Sequence, residues 1–295
     1  MCKEKLLEVI NVNKHFKVSR NKCIKALDDV SINIYKGEIL GLVGESGSGK
    51  STLGKCIVGI NELTDGKILY DGIDISNKKN GKKIISEDIK FIFQDSTSSL
   101  NSRMTIGKII EEPLKIQKKY KDKNSRMKKV YEMLDLVGLD KEYVNKYPYD
   151  FSGGQRQRVN IARAISTNPK FIIADEPIAS LDVSMQGQII NLFKELKEKM
   201  KLTCLFISHD LSMLRYISDR IAVIYKGKIV EIADTEELYS NPIHPYTKEL
   251  LSSILTVDNS NNKFKNSIDY SKLLMEHEKD QLIEVKKNHF VYLNK

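Results

Sequence analysis

The sequence has no tryptophan, and its four cysteines are scattered: Cys2, Cys23, Cys56 and Cys204 form no C-x-x-C pair. That spacing supplies neither a disulfide framework nor a zinc site, so plain reduced thiols are expected. No apolar run approaches the roughly 20 residues that a transmembrane helix needs. The opening MCKEKLLEVI lacks the apolar stretch and small-residue cleavage site of a signal peptide, and a soluble, cytoplasmic protein is expected. Arginine is scarce too: only eight of the 48 basic residues are Arg. The net charge of +9 therefore does not point to nucleic acid, whose bases and phosphates are read best by planar, bidentate guanidinium groups. Solvated lysine faces are the expectation, with no nucleic-acid partner.

What is present suffices for a folded domain. Hydrophobic residues make up 41% of the 295, enough to bury a sizeable core. Residues 6–12 (LLEVINV) and 30–34 (VSINI) have the β-branched, alternating pattern of strands. GEILGLVG at 37–44 runs apolar into a glycine-rich turn, and STLGKCIVGI reads as a helix opening straight from it. Strands are also expected at 89–93, 171–174, 204–207 and 221–224, with a helix over 185–200. Strand and helix in alternation argue for an α/β fold on a mostly parallel sheet. Between about 98 and 164 the character becomes lysine-rich and helical, including MKKVYEMLDLVGL, so a helical insertion is expected there. Residues 258–267 (DNSNNKFKNS) read as a linker, and apolar residues return in DQLIEVKKNHFVYL.

The segment Gly44-Glu45-Ser46-Gly47-Ser48-Gly49-Lys50-Ser51 fits the P-loop pattern G-x-x-x-x-G-K-[ST], with Thr52 following in the helix. Glycines let the backbone curl so that successive N–H groups face phosphate oxygens, and the helix adds its positive end. Lys50 would reach the β- and γ-phosphates of a nucleotide, and Ser51 would offer its hydroxyl oxygen to Mg²⁺. A P-loop alone does not choose among kinases, helicases, GTPases and transport ATPases. Phe171-Ile-Ile-Ala-Asp175-Glu176 narrows the choice, being an apolar strand that ends in two acids, as in a Walker B element. Asp175 would hold Mg²⁺ through water, and Glu176 would polarise the attacking water.

Between these two runs lies Phe151-Ser152-Gly153-Gly154-Gln155, which resembles the LSGGQ signature of ABC ATPases, with Phe151 in place of Leu. A lone SGGQ is an ordinary helix N-cap; ordered between P-loop and Walker B it is specific. The resemblance implies that Ser152 to Gln155 grip the γ-phosphate of ATP held by an opposite subunit. Further elements follow in the family's order. Gln94 in FIFQD resembles the Q-loop glutamine that approaches Mg²⁺ and the lytic water. Ser180-Leu181-Asp182 resembles the D-loop, and His209 in FISHD resembles the switch histidine at the γ-phosphate. Ile178 replaces the usual Thr after the DEP of Walker B, with little effect expected. Phe16 in VNKHF stands where ABC subunits stack an aromatic ring on adenine.

Finer features resemble the oligopeptide and dipeptide permease ATPases, and their second (F-type) ATPase more than their first (D-type). IFQDSTSSLNSRMTIGKIIEEPL resembles the family's segment after the Q-loop, with Ser96 and Ser102 where prolines are usual. Asn241-Pro242-Ile243-His244-Pro245-Tyr246-Thr247 resembles the HPYT run that opens the family's C-terminal extension, and IEVKKNHFV at 283–291 resembles its end. Taken alone, the HPYT run is a rigid turn bracketed by prolines. Some relatives bind an iron–sulfur cluster in this extension, which the lack of any cysteine after Cys204 excludes.

The expected architecture is an α/β P-loop NTPase (ABC ATPase) core over 1–240, with a helical subdomain at about 98–164 and a small C-terminal extension over 241–295. The resemblance implies an ATP- and Mg²⁺-dependent energy-coupling ATPase of a bacterial peptide importer, on the cytoplasmic face of the membrane. Its implied partners are a D-type ATPase, two transmembrane permease subunits and an extracytoplasmic solute-binding protein acting through them. An importer of nickel or another small solute is the alternative. A soluble ABC protein of translation or DNA repair would usually carry two cassettes or a long coiled coil. A module that holds ATP without hydrolysing it would lack Glu176 or His209.

Overall fold

The computed structural model describes residues 4–19, 22–76, 78–95, 99–118, 120, 122–255, 270–271, 273 and 281–293. Cys2, Ser96, the 258–267 linker and most of 256–280 lie outside the described residues. The chain forms two compact units, Met1–Lys78 with Leu205–Lys295, and Lys79–Cys204.

In the first unit, strands β1 (Lys5–Ser19), β2 (Lys22–Tyr35), β4 (Asp65–Tyr70) and β5 (Ile73–Asp74) form an antiparallel sheet in the order β2-β1-β4-β5. β1 is longer than its sequence pattern suggests, because the alternation of Leu7 and Val9 slips by one residue before Val12. Asn11 absorbs the slip at φ 48, and opposite it Asp29 sits at φ 57, the two side chains bonded at 2.7 Å. Asn and Asp tolerate this left-handed backbone better than other side chains, so the strand bulges rather than ending. Strand β3 (Ile39–Val43), wholly buried, pairs in parallel with β9 (Arg220–Tyr225). β9 turns back into β10 (Lys228–Asp234) through Lys226 and Gly227, at φ 46 and 82, the tight turn that suits the twist of a hairpin.

The C-terminal apolar run forms a second hairpin, β11 (Gln281–Lys286) and β12 (His289–Leu293), and β12 pairs antiparallel with β10. Ile243, Leu273, Val291 and Leu293 close a small core beneath it. The parallel sheet read from the sequence therefore carries antiparallel additions. Helix α1 (Lys50–Ile57) follows β3, and β8 (Thr203–Ser208) brings the chain back into this unit.

In the second unit, helix α2 (Lys78–Asp88) precedes β6 (Ile89–Ile92), which pairs in parallel with β7 (Phe171–Asp175). The helical stretch between them divides into α3 (Ile106–Ile116), α4 (Lys123–Leu136), two 3₁₀ turns (Lys141–Asn145 and Pro148–Asp150) and α5 (Gly153–Ile165). The periodicity of 127–139 overruns the end of α4. Gly138, at φ 68, donates to Asp135, while the Leu139 N–H returns to the Leu134 carbonyl. That is a left-handed helix stop. Glu111, on α3 with a 5% exposed side chain, accepts from Arg126 Nε of α4 at 2.8 Å and pairs with Lys115 at 2.8 Å. Ser102 stands second in a turn closed by Met104 N–H to the Asn101 carbonyl, a position proline favours but does not require. Helix α6 (Val183–Met200) completes the unit.

Candidate functional site

The P-loop connects β3 to α1 within the first unit. A Cβ on Gly49 would lie 2.5 Å from the Ala26 carbonyl oxygen, and its φ of 111 is open to glycine alone at low energy. Gly49 is also the N-cap of α1, so no side chain caps that helix, and no acidic residue occupies its first turn. Backbone N–H groups at such an end are oriented donors for an anion. Lys50 is 4% exposed, and its ammonium donates to the carbonyls of Gly44 at 2.7 Å and Glu45 at 2.9 Å. The loop is braced as well: Ser48 N–H donates to the Glu45 carbonyl at 3.1 Å, and the Gly227 N–H donates to the Ser48 carbonyl at 2.9 Å.

His209 and Phe16 belong to the same unit. His209 follows β8 and is exposed, and the next residue, Asp210, caps helix α7 (Leu211–Ile217) by accepting from Ser212 N–H at 2.8 Å. Phe16 pairs with Ile24 across the β1–β2 ladder and is 38% exposed, with the Lys14 ammonium 4.8 Å from its ring centroid.

In the second unit, Asp175 ends β7 at 3% exposure, and Glu176 follows at φ 45. A left-handed backbone at a glutamate is costly and is held only where its surroundings demand it. Gln94, exposed just past β6, donates its amide to the Glu176 carboxylate at 3.0 Å. Ser152 caps α5 in a reciprocal box: its N–H donates to Gln155 Oε1 at 3.0 Å, and its Oγ accepts from Gln155 N–H at 3.3 Å. Phe151 is buried edge-on against Tyr143 at 5.2 Å, an apolar setting that suits either Leu or Phe. Ile178 is likewise buried.

Three contacts were not legible beforehand. A Cβ on Gly154 would lie 2.8 Å from Met185 Sδ, so the first turn of α6 packs directly on that glycine. Asp182 holds that turn by accepting from Met185 N–H at 2.9 Å. In the other unit, the Glu45 N–H donates to the Tyr246 hydroxyl at 3.0 Å. Neither Met185 nor Tyr246 carries a local signal; only the partner glycine and the HPYT run hinted that the neighbourhood is constrained. Among the described thiols, burial pushes Cys56 up to about 11 and Cys204 higher still, while Cys23 is exposed.

Residues 27–179 match the ABC transporter family, and residues 230–277 match the C-terminal region of oligopeptide/dipeptide transporters. The oligopeptide transport ATP-binding protein OppF of Bacillus subtilis (strain 168) is 52% identical over 293 residues, spanning 98% of this chain and 96% of that protein. The dipeptide transport ATP-binding protein DppF of Lactococcus lactis subsp. cremoris (strain MG1363) is 44% identical over 293 residues, with 98% and 94% covered. Among solved structures, a dimeric post-hydrolysis state of the ATP-binding cassette MJ0796 bound to ADP and Pi superposes with a TM-score of 0.71. It is 32% identical and covers 78% of this chain and 99% of that one. CbiO1 from Clostridium perfringens, part of the ABC transporter complex cbiONQ, gives 0.72 at 25% identity, covering 87% and 96%. With such matches running almost end to end, the chain belongs to the ABC transporter family, in its group of oligopeptide and dipeptide transport ATP-binding proteins.

Proposed function

We propose that the chain is the energy-coupling ATPase of an importer of oligopeptides or dipeptides, with residues 1–240 as the cassette, 98–164 as its helical subdomain and 241–295 as an extension. The observation that carries hydrolysis, rather than mere nucleotide holding, is the Gln94 amide on the Glu176 carboxylate at 3.0 Å. A carboxylate oriented by a neutral donor, on a strained backbone beside Asp175, is a group prepared to align water and take its proton.

The other residues take roles that follow from their own geometry. The uncapped start of α1 offers N–H groups of Lys50, Ser51 and Thr52 to phosphate oxygens. The Lys50 ammonium is already desolvated, so exchanging carbonyl for phosphate oxygens requires little reorganisation. Ser51, Asp175 and Gln94 present hydroxyl, carboxylate and amide oxygens, the hard donors that suit Mg²⁺, and the ion when bound would neutralise charge on the β- and γ-phosphates. His209 steadies the γ-phosphate. Phe16, partly exposed with the Lys14 ammonium over its ring, is the aromatic ring assigned to adenine.

Ser152 to Gln155 act in the partner's site. A D-type ATPase completes the pair, two permease subunits receive the motion, and a solute-binding protein supplies the peptide. No described helix is long and apolar enough to cross a membrane. Attachment to the cytoplasmic face then runs through the permease subunits.

The test is Glu176→Gln in the assembled complex. ATP binding should persist while turnover falls on the order of 10²-fold or more. Near-normal turnover would remove Glu176 from this role.

A further inference from the structure

The HPYT run that opens the extension reaches the P-loop. Glu231, fully buried on β10, accepts from the N–H groups of Ile243 at 2.8 Å and His244 at 3.0 Å, and stands 2.8 Å from His289 Nε2 on β12. These bonds anchor the turn from two strands. His244 Nδ1 in turn accepts from Tyr246 N–H at 3.2 Å, fixing the start of helix α8 (Pro245–Leu255). The Tyr246 ring, 6% exposed, packs on Tyr225 with centroids 4.2 Å apart. Its hydroxyl accepts the Glu45 N–H at 3.0 Å. That N–H belongs to the peptide whose carbonyl, on Gly44, accepts from Lys50 Nζ at 2.7 Å. One peptide unit is therefore gripped at both ends, by the phosphate-reading lysine and by a tyrosine of the extension. Burial pushes the Tyr246 phenol above its ordinary range, partly countered by the Glu45 N–H, so the acceptor stays neutral at physiological pH.

We propose that Tyr246 is a positioning residue for the nucleotide: it holds the Gly44–Glu45 peptide so that Lys50 and the loop are set for phosphate, and it ties the C-terminal extension to nucleotide affinity. The inference rests on the P-loop reading above. The coupling is reciprocal, so nucleotide binding should in turn steady the 241–247 turn.

The experiment uses the full chain and measures ATP and ADP dissociation constants for the wild type, Tyr246→Phe, Tyr270→Phe and Lys50→Ala, with melting in the absence of nucleotide. Tyr246→Phe keeps the ring on Tyr225 and deletes one acceptor. Tyr270→Phe deletes a hydroxyl elsewhere in the extension, one that donates to the Tyr292 carbonyl at 3.1 Å. The expected result is about threefold to tenfold weaker binding of both nucleotides for Tyr246→Phe, the scale of one net hydrogen bond, and none for Tyr270→Phe. In the assembled transporter the loss should fall on KM for ATP rather than on kcat. Unchanged affinity in Tyr246→Phe, with binding abolished in Lys50→Ala, overturns the positioning role alone. Unchanged affinity in Lys50→Ala overturns the P-loop reading, and this proposal with it. An equal loss in Tyr270→Phe signals general loosening and also overturns it. Should Tyr246→Phe melt early, amide exchange of Glu45 in the nucleotide-free wild type decides: protection supports the bond, and exchange at the rate of an open loop refutes it.

Discussion

Two helices in this chain begin at glycine-rich turns, and they begin differently. α1 starts from Gly49, which has no side chain to cap it, while α5 starts from Ser152 in a full capping box with Gln155. Both runs suit a phosphate, yet only the P-loop is kept uncapped and backed by a buried ammonium. A helix end that satisfies itself can stand exposed until a second subunit brings a ligand. The turn that starts from glycine is shaped by its surroundings instead: the Ala26 carbonyl against Gly49, and the Gly227 N–H on Ser48. Under the proposed function, the difference would separate a site built for a resident nucleotide from a surface built for a partner's.

The sharpest way to break the contrast is at the loop. Gly49→Ala meets both a forbidden φ and a backbone oxygen, and should destabilise by about 3 kcal/mol or more. Gly47→Ala, at φ 81 with open space around its Cβ, should cost only about 1–2 kcal/mol. Denaturant unfolding of the two variants gives the comparison, and equal losses would mean that the packing against Ala26 is not what shapes the turn.

The second unit depends on charge as well as caps. Burial works to raise the Glu111 carboxyl, but Arg126 and Lys115 more than offset it and hold it below the ordinary 4.5. The stability from this pair is thus fully present above pH 4.5 and is lost as pH falls through the lowered value. Glu111→Gln keeps an acceptor for Arg126 and should destabilise by about 2 kcal/mol at pH 7. Its deficit against the wild type should shrink in melts taken toward pH 3, and a constant deficit would contradict the ion-pair account.

Ser152→Ala, which removes the cap of α5, should cost about 1 kcal/mol. If the signature serves a partner's nucleotide, ATP affinity of the isolated chain should stay as it was. Weakened binding in the monomer would erase the distinction between the two glycine turns. The smallest effect belongs to the thiols. Among the described cysteines, a maleimide should label Cys23 alone at pH 7, because Cys56 and Cys204 are buried with raised values. Replacing all four should leave ATPase activity largely intact.

The strands next to the motifs were readable because a wholly buried strand is a continuous apolar run, as in Ile39–Val43 and Phe171–Asp175. The antiparallel sheet of the first unit was harder. Its alternation breaks at Asn11 and Asp29, where a bulge changes which face each residue takes. The α4 pattern continued past Leu136 because Val137 and Leu139 are apolar and buried, though Gly138 had already turned the chain. In the candidate site, Lys50, Gln94, Glu176 and Ser152 were legible from motif order. Met185 and Tyr246 were not, since an ordinary helical methionine and a tyrosine 201 residues from Glu45 carry no spacing that announces their partners.

The sequence by itself determined which candidate runs the chain carries. The proposed cradling of phosphate, facing of a metal with oxygens and activation of water each need particular residue types within a few consecutive positions, and such runs survive reading in one dimension. Only the tertiary structure decided what holds those runs in their working shape: Tyr246 and Gly227 on the P-loop, Gln94 beside Glu176, and Met185 against Gly154. These contacts join residues distant in the chain, and their partners are chosen by packing and by satisfying buried polar groups, which depend on every neighbouring element at once.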